Sequence, residues 1–221
     1  MRAFVQAWFA GGKMPGKRLL MTALAMAIVL AAHASAQDKN ELGGLLGRTF
    51  IANQGVPDFP GDAVHFGNGT TVEGDYGRRV LGGDGLAALS LEVVFSYNPD
   101  EDLNFPVNVI PEAYGSYFIT PAARVNLFPG TRLSPWASFG GGFGHFRESD
   151  NLVFFDSNPG QKGTTTGVLQ IGAGFDVRAF SRFSVRFAVR DFDSGVPQLN
   201  VDTGKTRQHN IFVGAGILWH F

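Results

Sequence analysis

The C-terminal stretch IFVGAGILWHF, residues 211–221, decides how the rest of the chain is read. Ile211, Val213, Ala215, Ile217, Trp219 and Phe221 fall on one side of a period-two repeat, and Phe212, Gly214, Gly216, Leu218 and His220 fall on the other. Alternation of this kind predicts a β-strand whose two faces meet different surroundings. The strand continues to the last residue, where an ordinary domain frays.

Working back from the terminus, seven more segments alternate. Leu89, Leu91, Val93, Phe95 and Tyr97 oppose Ala88, Ser90, Glu92, Val94 and Ser96. Leu169, Ile171, Ala173, Phe175 and Val177 oppose Gln170, Gly172, Gly174, Asp176 and Arg178. Phe183, Val185, Phe187 and Val189 oppose Ser184, Arg186, Ala188 and Arg190. Segment 116–127 sets Tyr117, Ile119, Ala123, Val125 and Leu127 against a polar set that includes Arg124, with Phe118 breaking the pattern and Pro121 predicting an irregularity such as a bulge. Segment 70–81 places Glu73, Asp75 and Arg79 against Val72, Tyr76 and Val80. Segment 136–146 is glycine-rich, and 41–51 has mixed parity with no assignable face.

The connections alternate too. Those at 81–85, 128–135 and 179–182 are short, whereas 52–69, 98–113, 147–165 and 192–208 are long. Eight strands with three short turns and four long loops predict an all-β, eight-stranded antiparallel up-and-down barrel, with short turns at one end and long loops at the other. A soluble barrel or sandwich would turn the apolar faces inward. Low charge, at 17% of residues, and aromatics at strand ends (Tyr97, Tyr114, Phe128, Trp136, Phe183, Trp219) favour apolar faces turned toward lipid.

The N-terminus predicts export. Lys13, Lys17 and Arg18 precede an apolar run over 19–32, and Ala34-Ser35-Ala36 forms a cleavage site before Gln37. That run is shorter than the roughly 20 residues a spanning helix needs. The expected organisation is a signal peptide, 1–36, and a barrel domain, 37–221; Met1 and Met14 both fit as the start. Removing the signal takes away four basic residues and no acidic ones, leaving a formal charge of −5. This excludes the basic footprint of a nucleic-acid partner. Without cysteine, disulfides and thiolate chemistry are excluded.

On these features the chain resembles the small outer-membrane β-barrel family: the OmpA transmembrane domain, OmpX and the OmpW-like proteins. The resemblance rests on the signal ending at Ala36, the alternating strands, the long–short loop rhythm and the terminal Trp219-His220-Phe221. It implies bacterial outer-membrane localisation and a monomer among outer-membrane lipid and lipopolysaccharide. It also implies that Ile217, Trp219 and Phe221 form an assembly signal read by the barrel-assembly machinery. Functions in such families differ, and fold does not carry function with it.

The candidate site is the interior. Glu73, Asp75, Glu92 and Asp176, with Arg79, Arg124, Arg178, Arg186 and Arg190, fall on polar faces and predict an ion-paired plug. Inward Gly172, Gly174, Gly214 and Gly216 would make room for the arginines. The leading expectation is a non-enzymatic structural or surface-interaction barrel with acidic loops, without cofactor or metal. A narrow channel for small or hydrophobic solutes is the alternative. A lipid A-modifying enzyme is a third reading, resting on His145, Glu148, Ser149 and Asp150 near one another in sequence. The acidic run 98–102 lacks the full EF-hand pattern.

Overall fold

The computed structural model describes residues 39–83, 85–154 and 156–221. The expected signal peptide lies outside the described residues. Ten strands follow in chain order: β1 (Asn40–Phe50), β2 (Gln54–Gly55), β3 (Ala63–Phe66), β4 (Thr70–Leu81), β5 (Ala87–Asn104), β6 (Ala113–Leu127), β7 (Leu133–Glu148), β8 (Thr164–Phe180), β9 (Phe183–Ser194) and β10 (Gln208–His220).

Eight long strands, β1 and β4 to β10, pair antiparallel with their chain neighbours, and β1 pairs with β10 to close the barrel. The seam runs from Glu41↔His220 to Phe50↔Ile211. Reciprocal backbone bonds between Asn40 and Phe221, at 3.0 and 2.9 Å, fasten its lower end. Closure leaves no free sheet edge. Strands β2 and β3 lie in the first long loop, and β3 adds to the upper end of β5.

Facing follows the alternation. Leu46, Val72, Leu91, Phe139, Ile171 and Ile217 point outward and are 51–63% exposed, while Phe212 and Leu218 on the opposite parity of β10 are fully buried. A soluble monomer does not surround itself with large apolar side chains on every strand. Lipid does accept such a band, with the charges placed inside. The fold is therefore a transmembrane β-barrel.

Two details sharpen the expectation. The irregularity at Pro121 is a gap in the ladder and not a bulge: pairing with β7 stops at Ile119↔Phe143 and resumes in the same register at Ala122↔Gly140. Proline has no N–H to donate, so ladder pairs are lost without an inserted residue. The register shifts instead at Arg79/Leu81, Asn98/Glu101 and Arg178/Phe180, all near strand ends. The mixed parity of β1 also resolves. Glu41, Gly43, Leu45, Gly47 and Thr49 face inward; Leu42, Gly44, Leu46, Arg48 and Phe50 face outward. An inward leucine and an outward arginine had masked the pattern.

Candidate functional site

The interior is built from one polar position per pleat. Strands β1, β4 and β5 supply Glu41, Glu73, Asp75 and Glu92; β8 adds Asp176; β6 and β9 supply Arg124, Arg186 and Arg190. Four of the five acids thus line one wall, while Asp176 sits opposite Arg186 on the neighbouring strand. Arg186 grips Asp176 through two bonds of 2.8 Å, reaches Asp75 at 3.1 Å and approaches Glu41 at 3.4 Å. Arg190 donates to Glu73 at 3.0 Å, to Glu92 at 2.8 Å and to Ser138 Oγ at 3.1 Å. Arg124 pairs with Glu41 and lies 3.5 Å from Glu92. All three arginines are fully buried. Planar forks suit this multidentate role.

Trp136 of β7 stands among them. The guanidinium carbons of Arg190, Arg186 and Arg124 lie 4.9, 5.2 and 6.0 Å from its ring centroid. In a desolvated site such cation–π contacts add to the attraction of the carboxylates.

Sequence parity places this cluster only in part. Glu73, Asp75, Glu92, Asp176, Arg124, Arg186 and Arg190 come together. Arg79 and Arg178 do not: they sit at the short-turn end, beside register shifts, and neither forms an ion pair among the described residues. Glu41 joins instead, hidden from sequence reading by the ambiguous first strand. The inner set is therefore five carboxylates and three guanidiniums rather than four acids and five bases. Glu73 Oε2, Asp75 Oδ2 and Glu92 Oε2 have no hydrogen-bond partner.

The glycines also divide their labour. A side chain at Gly172 would press on Ser138 and Arg190, at 2.6 and 3.2 Å, so this glycine does make room for an arginine. A side chain at Gly174 would strike the Trp136 ring at 2.6 Å. Gly214 leaves space for the Phe212 ring, and Gly216 lets the backbone of β1 come close.

Beyond the ion pairs further side chains fill the interior. Gln170 accepts from Thr120 at 2.8 Å and donates to Ser138 at 3.0 Å. Phe118 stacks on Phe192 at 5.1 Å and meets Phe146 edge-on at 5.9 Å, and Phe146 meets Tyr114 at 5.6 Å. Phe118, the residue that broke the polar face, is thus part of an aromatic layer. Above it Gln208 donates to Tyr114 Oη at 3.1 Å and accepts from Gln54 at 2.8 Å, and Thr203 donates to Gln54 at 2.8 Å. The long loops then bury Val56, Val64, Phe105, Ile110 and Leu199 against one another.

The loop residues with catalytic potential do not converge. His145 faces outward with Nδ1 2.9 Å from Thr165 Oγ1. Glu148 is turned inward and accepts from the Gln198 N–H, Ser149 donates to Glu112, and Asp150 pairs with Lys162. A different pair does meet: Ser184 Oγ lies 2.9 Å from His220 Nε2 at the short-turn end. Ser184 is buried, and Glu41, the acid beside His220 in the seam, is held by arginines. The acidic run lies within β5 at its register shift, where Asn98 donates to Glu101 at 2.8 Å. Among the described residues no group of His, Asp and Glu side chains is arranged to hold a metal. Ile217 and Trp219 face outward, and the Trp219 and Phe221 rings lie 4.6 Å apart at the seam.

No protein-family model and no curated protein matches the sequence. The structure does find likenesses. The outer membrane protein OprG from Pseudomonas aeruginosa matches with a TM-score of 0.51 and 11% identity, over 84% of this chain and 97% of that one. The N-terminal β-barrel domain of Pseudomonas aeruginosa OprF matches with a TM-score of 0.49 and 15% identity, over 84% and 98%. At such identities the likeness is one of fold. Strand number, closure, outward apolar band and the match to OprG together give this chain the fold of the small eight-stranded outer-membrane β-barrels.

Proposed function

We propose that this chain is exported behind a cleaved signal peptide and resides in the bacterial outer membrane as a monomeric, non-enzymatic barrel. Its role is structural or one of surface interaction, with the long-loop end presented outward. The observation that carries this reading is the side-chain filling of the interior, by the arginine cluster, the aromatic layer and the loop core. A barrel of eight strands is narrow enough for side chains to close it. The absence of a sheet edge supports a monomer. Lipid and lipopolysaccharide are its surroundings, and the terminal strand bearing Ile217, Trp219 and Phe221 is its handle for the assembly machinery.

Cell fractionation with a heat-modifiability gel tests the placement: a membrane-bound band whose mobility changes on boiling is expected, and a soluble periplasmic product overturns it. Mass spectrometry of the mature protein should find Gln37 first. Planar bilayers containing the purified barrel should show no reproducible conductance; steady channels would favour the solute-passage alternative. Lipid A profiles should be unchanged by expression.

A further inference from the structure

Several outward-facing polar side chains toward the long-loop end are matched on the protein. His209 pairs with Asp191 at 2.7 Å, Arg207 with Asp193 at 2.8 Å, and His145 with Thr165 at 2.9 Å. Arg48 is different. It is exposed on the outward face of β1 between Leu46 and Phe50, opposite Thr70 and Val213, and forms no ion pair or side-chain hydrogen bond among the described residues. A charge on a lipid-facing strand is costly unless its head reaches a partner, which makes it a mark of function.

The surface around it is shaped. Leu46, Gly47, Arg48, Phe50, Thr70 and Val213 line a shallow, open groove on the outside of the barrel. One pleat toward the short-turn end, Gly44 and Gly74 are cross-strand partners, and a side chain at Gly44 would meet nothing within 4 Å. The wall is thus relieved below the arginine while remaining apolar above and beside it. Only an amphiphile uses both parts: a headgroup anion for the guanidinium and a chain for the apolar relief. Phosphate oxygens fit the planar fork as carboxylate oxygens do, and phosphate is the anion that acylated membrane lipids carry.

We propose that Arg48 and this groove bind an acylated lipid carrying a phosphate monoester, in the leaflet on the long-loop side. The proposal rests on the outer-membrane placement above, in which that lipid is the phosphorylated glycolipid anchor of lipopolysaccharide. The phosphate sits on the guanidinium, and one acyl chain lies along Leu46 and Val213 toward Gly44.

Native mass spectrometry of the folded barrel in detergent tests it, with lipid A, dephosphorylated lipid A or phosphatidylglycerol added separately. The wild type should retain one lipid A. Arg48→Gln should reduce retention by about tenfold or more, the value of one lost charge-assisted contact. Arg48→Lys should retain an intermediate amount, because it keeps the charge but not the fork. Gly44→Leu, which fills the relief without meeting backbone, should weaken retention with Arg48 intact. Equal retention by the wild type and Arg48→Gln overturns the site, as does equal retention of the dephosphorylated lipid or phosphatidylglycerol. Each variant is run on the heat-modifiability gel. Loss of the mobility shift in the wild type would strike the barrel placement itself, whereas a normal shift without lipid retention strikes only the Arg48 site.

Discussion

Among single residues, the three inner arginines carry the most energy because each answers more than one carboxylate. Removing Arg190 strands Glu73 in the interior and leaves Glu92 only Arg124, at 3.5 Å. Breaking a buried ion pair from one side costs about 3–5 kcal/mol. Arg190→Met should therefore lower stability by that amount in denaturant titrations of the barrel in vesicles. Arg79→Ala should stay within about 0.5 kcal/mol, as for other surface substitutions. Alternation alone ranks these two arginines together, since both fall on polar faces. What separates them is distance from the strand end: Arg190 is held by pairs on both sides, with Phe212 and Gly172, while Arg79 abuts a register shift. Gln170 teaches the same lesson. Its parity marks it as inward, which makes Gln170→Glu look mild beside a lipid-facing charge. The structure shows a fully buried amide that donates to Ser138, in an interior already rich in carboxylates.

Strands were legible where their two faces differ in chemistry and obscure where they do not. β8, β9 and β10 could be read residue by residue. β1 could not, because no pattern of polarity alone reveals that Glu41 turns in and Arg48 turns out. The facing of β8 predicts that Ile171→Arg, 62% exposed on the lipid side, destabilises the barrel by about 2–4 kcal/mol in the same titrations. Strand extensions were also invisible in sequence. β5 continues past its register shift to Asn104, beyond the apolar band, and there the buried Glu101 accepts from Asn98 and the Gly69 N–H. Burial raises its carboxyl to about 7, against the pull of those two donors. The folded loop thus holds the proton more tightly than the unfolded chain does. The resulting stabilisation is complete below the ordinary carboxylate range and disappears as the pH climbs through about 7. Hydrogen exchange at Gly69, corrected for intrinsic rate, should be faster at high pH than at low, and Glu101→Gln should flatten the difference.

At the scale of the molecule, two cores share one tube. The lower is ionic and the upper, made by the loops, is apolar, with Phe59 meeting Phe105 edge-on at 5.4 Å. Length and acidity of the loops were plain in the sequence; that they close over a hydrophobic centre was not, because the residues come from separate loops with no periodicity to join them. Phe105→Ala should loosen this roof by about 3–5 kcal/mol of local packing. Limited proteolysis should then cut the long loops faster while the heat-modifiable mobility shift persists.

The bond between Glu41 and Arg124 has a temporal meaning. It joins the first strand of the barrel to the one on the far wall, while that same first strand must zip to the last. The pairing of β1 with β4 stations Glu41 on its own side, but until the final strand arrives the tube stays open and the arginines that meet it cannot shed their water. Docking of the two termini and drying of the lumen are therefore one event. A half-assembled ribbon has little to gain by lingering, and the barrel should form in a single cooperative step whose trigger is the arrival of its own tail.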